Sequence, residues 1–337
     1  MARSFTTAIR VVKWLTAVIV SLLTACASIP ELENQPGYAH LAPIRSLYNI
    51  QYFPQIEDQC GPASLATMLA AQGLDVNPEQ LRGKLYIPGK EGAVTTEMVA
   101  RTRRYGLLAY VLMPKLVDVL AEIDAGNPVL VMQNLGLDWL PRWHFSVAVA
   151  YNLNTQTISL RSGDKLQHEI GFSLFLKTWR RADSWSMVIV PAGTLPATAE
   201  PPRVTQAAND LEQVGEPAAA FAVYQSVLNE WPDNVVANFG AGNSAYALGR
   251  YKEAHRFFLS YLQWQPNASE GWNNMAYNLV QLGCGSQALI AISCAVKLTP
   301  DNQALVDSFN EISDEVKATE NQLSCPDIQC PAEGRSN

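Results

Sequence analysis

Histidine is scarce in this chain. Its 337 residues contain four, at His40, His144, His168 and His255, so any chemistry that needs an imidazole has few candidates. The sequence has no phosphate-binding loop, no dinucleotide fingerprint and no run of ligands at metal spacing, so no cofactor and no metal is expected. Only 16% of the residues are charged and the formal net charge is −7, which argues against nucleic acid as a partner. Long apolar runs are missing too. The stretch from Trp14 to Leu23 falls short of the roughly 20 residues that span a bilayer. Cysteine is limited to six residues, and none forms a Cys-x-x-Cys pair.

What is present begins at the N-terminus. Arg3, Arg10 and Lys13, with no acid among them, precede the short apolar stretch, which closes on Leu23-Thr24-Ala25-Cys26. This resembles a bacterial lipoprotein signal. The resemblance implies that residues 1–25 are removed and that Cys26 becomes the lipid-bearing first residue. Residues 26–44 then form a tether. Ala27 resembles signals sorted to an outer membrane, so the expected location is the cell envelope, anchored and facing the periplasm. The chain would sit on a membrane without spanning it. Loss of residues 1–25 takes the formal charge from −7 to −10. The acidity is uneven: residues 203–337 carry 7 basic and 15 acidic side chains. Cys284, Cys294, Cys325 and Cys330 suit disulfides in an oxidising compartment, with three pairings open, one of them the two local pairs Cys284/Cys294 and Cys325/Cys330. Cys60 is left over as a candidate reactive thiol.

Cys60 stands in Gln59-Cys60-Gly61-Pro62-Ala63-Ser64, where an irregular segment meets the apolar run Leu65 to Ala71. A thiol at a helix N-terminus lies beside unpaired N–H groups and the positive end of the dipole, which stabilise the thiolate. Gly61 permits a tight turn, and Pro62 suits a first helical turn. Of the histidines, His144 opens the apolar run Phe145 to Tyr151. It can therefore be held rigidly at a strand mouth while facing a cleft, which makes it the expected base. Trp139 to Trp143, just ahead of it, is an aromatic-rich loop that fits either a cleft wall or edge packing.

The Pro-rich segment 191–202 reads as a semi-rigid linker between two domains. Before it, helices are expected over Cys60 to Gln72, from Asn77-Pro78, over Thr96 to Tyr105 and over Lys115 to Asp124. Strands are expected over Pro128 to Gln133, Phe145 to Tyr151, Thr157 to Arg161 and Ser186 to Val190. Helices followed by a mainly antiparallel sheet make an α+β domain over residues 45–190. After the linker a period of 34 residues appears: Pro232, Pro266 and Pro300 keep it, as do Gly215, Gly249 and Gly283, and Ala220, Ala254 and Ala288, and Tyr224, Phe258 and Ile292. This resembles the tetratricopeptide repeat, and implies an all-α domain over residues 203–317 with Gln303 to Lys317 as a capping helix. Trp272 fills the aromatic position of the third unit, where Asn238 and Val204 stand in the others. Such arrays bind peptides or protein partners in a concave groove. Residues 318–337 form a tail.

With Gln55, Cys60-Gly-Pro-Ala and His144-Phe, residues 45–190 resemble the papain-like peptidases that remove double-glycine leaders. The whole layout resembles lipoproteins carrying such a domain ahead of tetratricopeptide repeats. The resemblance implies a peptide or protein substrate, with Cys60 as nucleophile and His144 as acid and base. It also implies a glutamine that helps the Cys60 N–H hold the oxyanion. Gln55 matches that glutamine by position, and Gln59 is the alternative. The family's Asp or Asn, which orients the imidazole, falls at Ser162 by direct alignment, with Asp164 two residues on. Asp164 is expected to reach His144 if the Ser-Gly turn folds back; otherwise Ser162 orients the ring. The departure leaves a rival expectation, a peptidase-like scaffold without activity. A third possibility is transfer of the acyl group to an amine.

Overall fold

The computed structural model describes residues 32–55, 59–85, 94–318 and 325–331. The signal, Cys26 and most of the tail lie outside the described residues. No helix among those described is long and apolar enough to cross a membrane.

The first domain is built on a seven-stranded sheet: β1 (Ile44–Ser46), β2 (Leu107–Val111), β3 (Val129–Asn134), β4 (Trp143–Asn152), β5 (Thr157–Ser162), β6 (Lys165–Gly171) and β7 (Ser186–Pro191). The order is β2-β7-β3-β4-β5-β6, with β1 pairing the far end of β4, and every pairing is antiparallel. Helices α1 (Cys60–Ala70), α2 (Pro78–Leu85) and α3 (Thr95–Arg103) cover one face, where Leu65, Met68 and Leu69 pack with Phe145, Val147 and Val149. Helices α4 (Leu116–Asp124) and α5 (Phe172–Arg180) lie on the other face, over Val129, Val131 and Ala148. Burial on both faces explains the unbroken apolar character of β3, β4 and β7.

Local chemistry sets several boundaries. Asn77 Oδ1 accepts from Gln80 N and Gln80 Oε1 accepts from Asn77 N, both at 3.0 Å, a reciprocal cap at the start of α2. Gly73, which ends the turn after α1, has a φ of 80° that a side chain would strain. The sequence reading lacked β1, β2, β6 and α5. Strand β6 is a mostly exposed edge strand, so its residues carry little apolar periodicity.

The second domain contains α6 (Pro201–Gln213), α7 (Pro217–Glu230), α8 (Val235–Ala247), α9 (Tyr251–Trp264), α10 (Ser269–Gln281), α11 (Gly285–Leu298) and α12 (Gln303–Ala318). These are three helix pairs and a closing helix. Each pair turns at a left-handed glycine, Gly215 (φ 83°), Gly249 (φ 70°) or Gly283 (φ 72°). Ala220, Ala254 and Ala288 are fully buried, which lets the helices approach closely. Two disulfides, Cys284–Cys325 and Cys294–Cys330, bind segment 325–331 to the last pair. The pairing is thus crossed, where the sequence offered local pairs as one of three choices. The reason is spatial: segment 325–331 returns along α11.

Segment 191–202 is fastened down, where a linker alone would only separate the domains. The buried Glu122 of α4 accepts from Thr198 N at 2.8 Å, Thr198 Oγ1 at 2.6 Å and Ala197 N at 3.3 Å. Tyr110 OH donates to Thr198 O and accepts from Glu200 N, both at 3.1 Å. Beyond it, Val204, Ala208 and Leu211 of α6 share one core with Leu108 and Tyr110 of β2. The Arg103–Asp210 ion pair, at 2.5 Å, adds a polar tie.

Candidate active site

Cys60 is the first residue of α1 and a half-buried thiol outside the disulfides. The first helical bond runs from Ala63 N to Gln59 O at 3.0 Å. Pro62 therefore occupies a place where an N–H would have no intrahelical acceptor. One turn on, Ser64 Oγ donates to the carbonyl of Phe145 at 3.1 Å. That single bond ties the thiol-bearing end of α1 to the residue that follows His144.

Gln55 completes the corner. Its Nε2 donates to Ser64 Oγ at 3.0 Å and to the Phe145 carbonyl at 3.1 Å, while its Oε1 accepts from Gly163 N at 2.8 Å. The side-chain amide thus stands in for a peptide unit between the open ends of β4 and β5. Gln55 N also donates to Gly163 O at 2.8 Å. Both amide hydrogens are spent in this scaffold, which takes Gln55 out of the oxyanion role that the resemblance gave it. Gln59 is buried at the N-cap of α1, and its side chain does not cap the helix.

His144 sits at the mouth of β4 opposite Gln133. By strand alternation it shares a face with Ser146 and Gln133, a buried polar chain that runs on through Thr178 of α5. Its Nε2 lies 2.8 Å from Ser162 Oγ at the end of β5. Helix α1 packs on the opposite face, and its Cys60 end is tied to β4 through the Ser64 bond to the Phe145 carbonyl. Burial depresses the His144 pKa to about 4, and the positive fields of His168 and Arg142 act in the same direction. The ring is therefore neutral near pH 7.

Asp164 does not reach the ring among the described residues. It lies in the exposed turn between β5 and β6, and its charge acts on Tyr52, whose phenol it pushes up after the larger effect of burial. The physical reason is the turn. Ser162 already points to the face His144 occupies, and the left-handed Gly163 (φ 62°) turns the chain into β6 so that Asp164 sits in the turn itself. Trp139 to Trp143 forms the β3–β4 hairpin tip, with Trp139 78% exposed. Asn134 Oδ1 fixes that tip by accepting from Gly136 N and Arg142 N at 2.9 Å. Sequence reasoning missed Ser64; a hydroxyl one helical turn after Cys60, in a mostly apolar helix, was the available signal.

Residues 47–186 match the model of the Peptidase_C39 like family. The first domain is a C39-like peptidase domain. Residues 211–276 match the tetratricopeptide repeat model, and α6 to α12 form the helical repeat region that follows. Among solved structures, a C39-like peptidase from Bacillus anthracis is 18% identical over 44% of this chain and 98% of its own length, with a TM-score of 0.38. MamA 41-end from Desulfovibrio magneticus RS-1 is 18% identical over 35% of this chain and 69% of its own, with a TM-score of 0.33. The Sgt2 TPR domain from Aspergillus fumigatus is 14% identical over 40% of this chain and 93% of its own, with a TM-score of 0.34. No curated protein matches the chain.

Proposed function

We propose that this chain is a cysteine peptidase acting on a peptide or protein, with Cys60 as nucleophile, His144 as base and the helical repeats recruiting substrate or partner. One observation carries the reading: Ser64 and Gln55 converge on the carbonyl next to His144, which anchors the Cys60 end of α1 at the mouth of the histidine strand. The neutral His144 takes the thiol proton as Sγ attacks the scissile carbonyl carbon, then gives it to the leaving amine. Water next hydrolyses the thioester, with His144 again as base. The Cys60 N–H and the Gln59 amide are the donors offered to the oxyanion.

The proposal extends to location. Cys26 anchors the mature protein to the envelope membrane, a reading supported by the basic and apolar N-terminal pattern and by two disulfides that suit an oxidising compartment. Mass spectrometry of the mature N-terminus tests it; an unlipidated terminus elsewhere in the chain overturns it.

A second reading, a peptidase-like scaffold, draws on the Ser162 hydroxyl that stands at His144 Nε2 where the resemblance implies a carboxylate or amide. Iodoacetamide labelling near neutral pH separates the two. The peptidase reading expects labelling lost in Cys60→Ser and slowed at least about tenfold in His144→Ala. Equal rates in the wild type and His144→Ala would favour the scaffold.

A further inference from the structure

We propose that the groove formed by α6, α7 and α8 binds an arginine side chain of a peptide partner on the Glu212 carboxylate. Glu212 lies in the last turn of α6. Its Oε2 accepts from Tyr224 OH of α7 at 3.0 Å and its Oε1 from Ser244 Oγ of α8 at 2.9 Å. Two neutral donors from two other helices therefore hold the carboxylate in one orientation. It opens on a cavity of about 420 Å³ whose described lining includes Gln206, Asn209, Phe239 and Asn243 and no lysine or arginine.

The charge balance of the site is incomplete. Burial pushes the Glu212 pKa up, and only the two hydroxyl hydrogen bonds oppose that; no cation among the described residues acts on it. Asp210, two residues earlier, is already matched by Arg103 at 2.5 Å and by Gln206 Nε2 at 2.9 Å. Glu212 is thus a half-buried carboxyl group whose charged form a cationic ligand would stabilise.

Arginine fits better than a compact ammonium. Each carboxylate oxygen already accepts one bond and keeps a lone pair, which the two parallel N–H groups of a guanidinium can fill together. The partly buried Phe239 ring lines the same cavity and gives a guanidinium an aromatic neighbour. Asn209 and Asn243, 34 residues apart on α6 and α8, give amides for the backbone of an extended peptide. The excess of 15 acidic over 7 basic residues in 203–337 steers a cationic partner to this half of the molecule.

The inference rests on the reading that the repeats recruit a peptide, and the test separates the two. Full-length protein is titrated against fluorescent random-sequence decapeptide pools whose central residue is arginine, citrulline or glutamate, with anisotropy as the readout. The arginine pool should bind about tenfold more tightly than the citrulline pool. Added salt should erode the difference, and Glu212→Gln should abolish it. Equal binding of the arginine and citrulline pools would overturn the Glu212 assignment and leave peptide recruitment standing. Failure of every pool would overturn both. The comparison of pools needs no variant, so a folding defect in Glu212→Gln does not shield the inference; Phe239→Leu gives a second check through a smaller loss confined to the arginine pool.

Discussion

With a hydroxyl rather than a carboxylate on Nε2, and with positive fields from His168 and Arg142, the His144 ring is most stable uncharged. Two consequences belong to this scale. First, little imidazolium is available to stabilise a resting thiolate, so the thiol proton moves during attack. Ser162→Asp would place a carboxylate at the ring, raise the His144 pKa and favour the charged pair. Alkylation of Cys60 at pH 6 should then rise about tenfold, in step with the roughly 1–3 units that a neighbouring charge shifts a pKa. A rate at pH 6 unchanged in Ser162→Asp would contradict this account of the site. Second, the pKa falls from 6.5 to about 4 on folding, so between those values the unfolded chain binds more protons. Stability is therefore lost as pH falls through that window, by about 3 kcal/mol once it is complete. Urea midpoints at pH 7 and pH 4 should diverge more in the wild type than in His144→Gln.

Elements in this protein meet where a side chain is small or where an amide replaces backbone. Gln55 is the second kind: it extends the β4–β5 ladder and so fixes the spacing of His144 from Ser162 indirectly. The repeat helices use the first kind. A Cβ on Gly242 of α8 would lie 2.5 Å from Cε1 of Phe258, which is itself buried at the centre of α9. The helices cannot separate there without exposing the ring. Gly242→Val should lower the stability of the repeat region by about 2 kcal/mol, the scale of overpacking in a filled core. Denaturant unfolding followed by far-ultraviolet circular dichroism measures it, and a midpoint equal to the wild type would show that the pair tolerates the wider spacing.

The whole molecule is joined more firmly than its sequence implies. The connector over residues 191–202 is clamped by Glu122 and Tyr110, and one apolar core continues from β2 into α6. Removing the clamp in Glu122→Ala leaves the half-buried Thr198 N–H and hydroxyl without their carboxylate acceptor, a cost of about 1–3 kcal/mol. Limited proteolysis should then cut within residues 191–202, where the wild type resists. At the other end, the two disulfides close stretches separated by 41 and 36 residues, each contributing about 4 kcal/mol in the chain-entropy account.

Period and turn chemistry were legible from residues alone. The 34-residue spacing of small, apolar and glycine positions identifies the helix pairs, because only a buried small residue and a left-handed turn satisfy those places. The same holds for Cys60 at a helix start and His144 at a strand mouth, since Gly-Pro and an apolar run are local signals. Edge strand β6 was not legible, because exposure erases the alternation a strand is recognised by. Nor was the choice between Ser162 and Asp164, the duty of Gln55, or the partners of the four C-terminal cysteines. Each of these depends on which groups meet across distant stretches of chain, and only the folded sheet and the returning tail decide that.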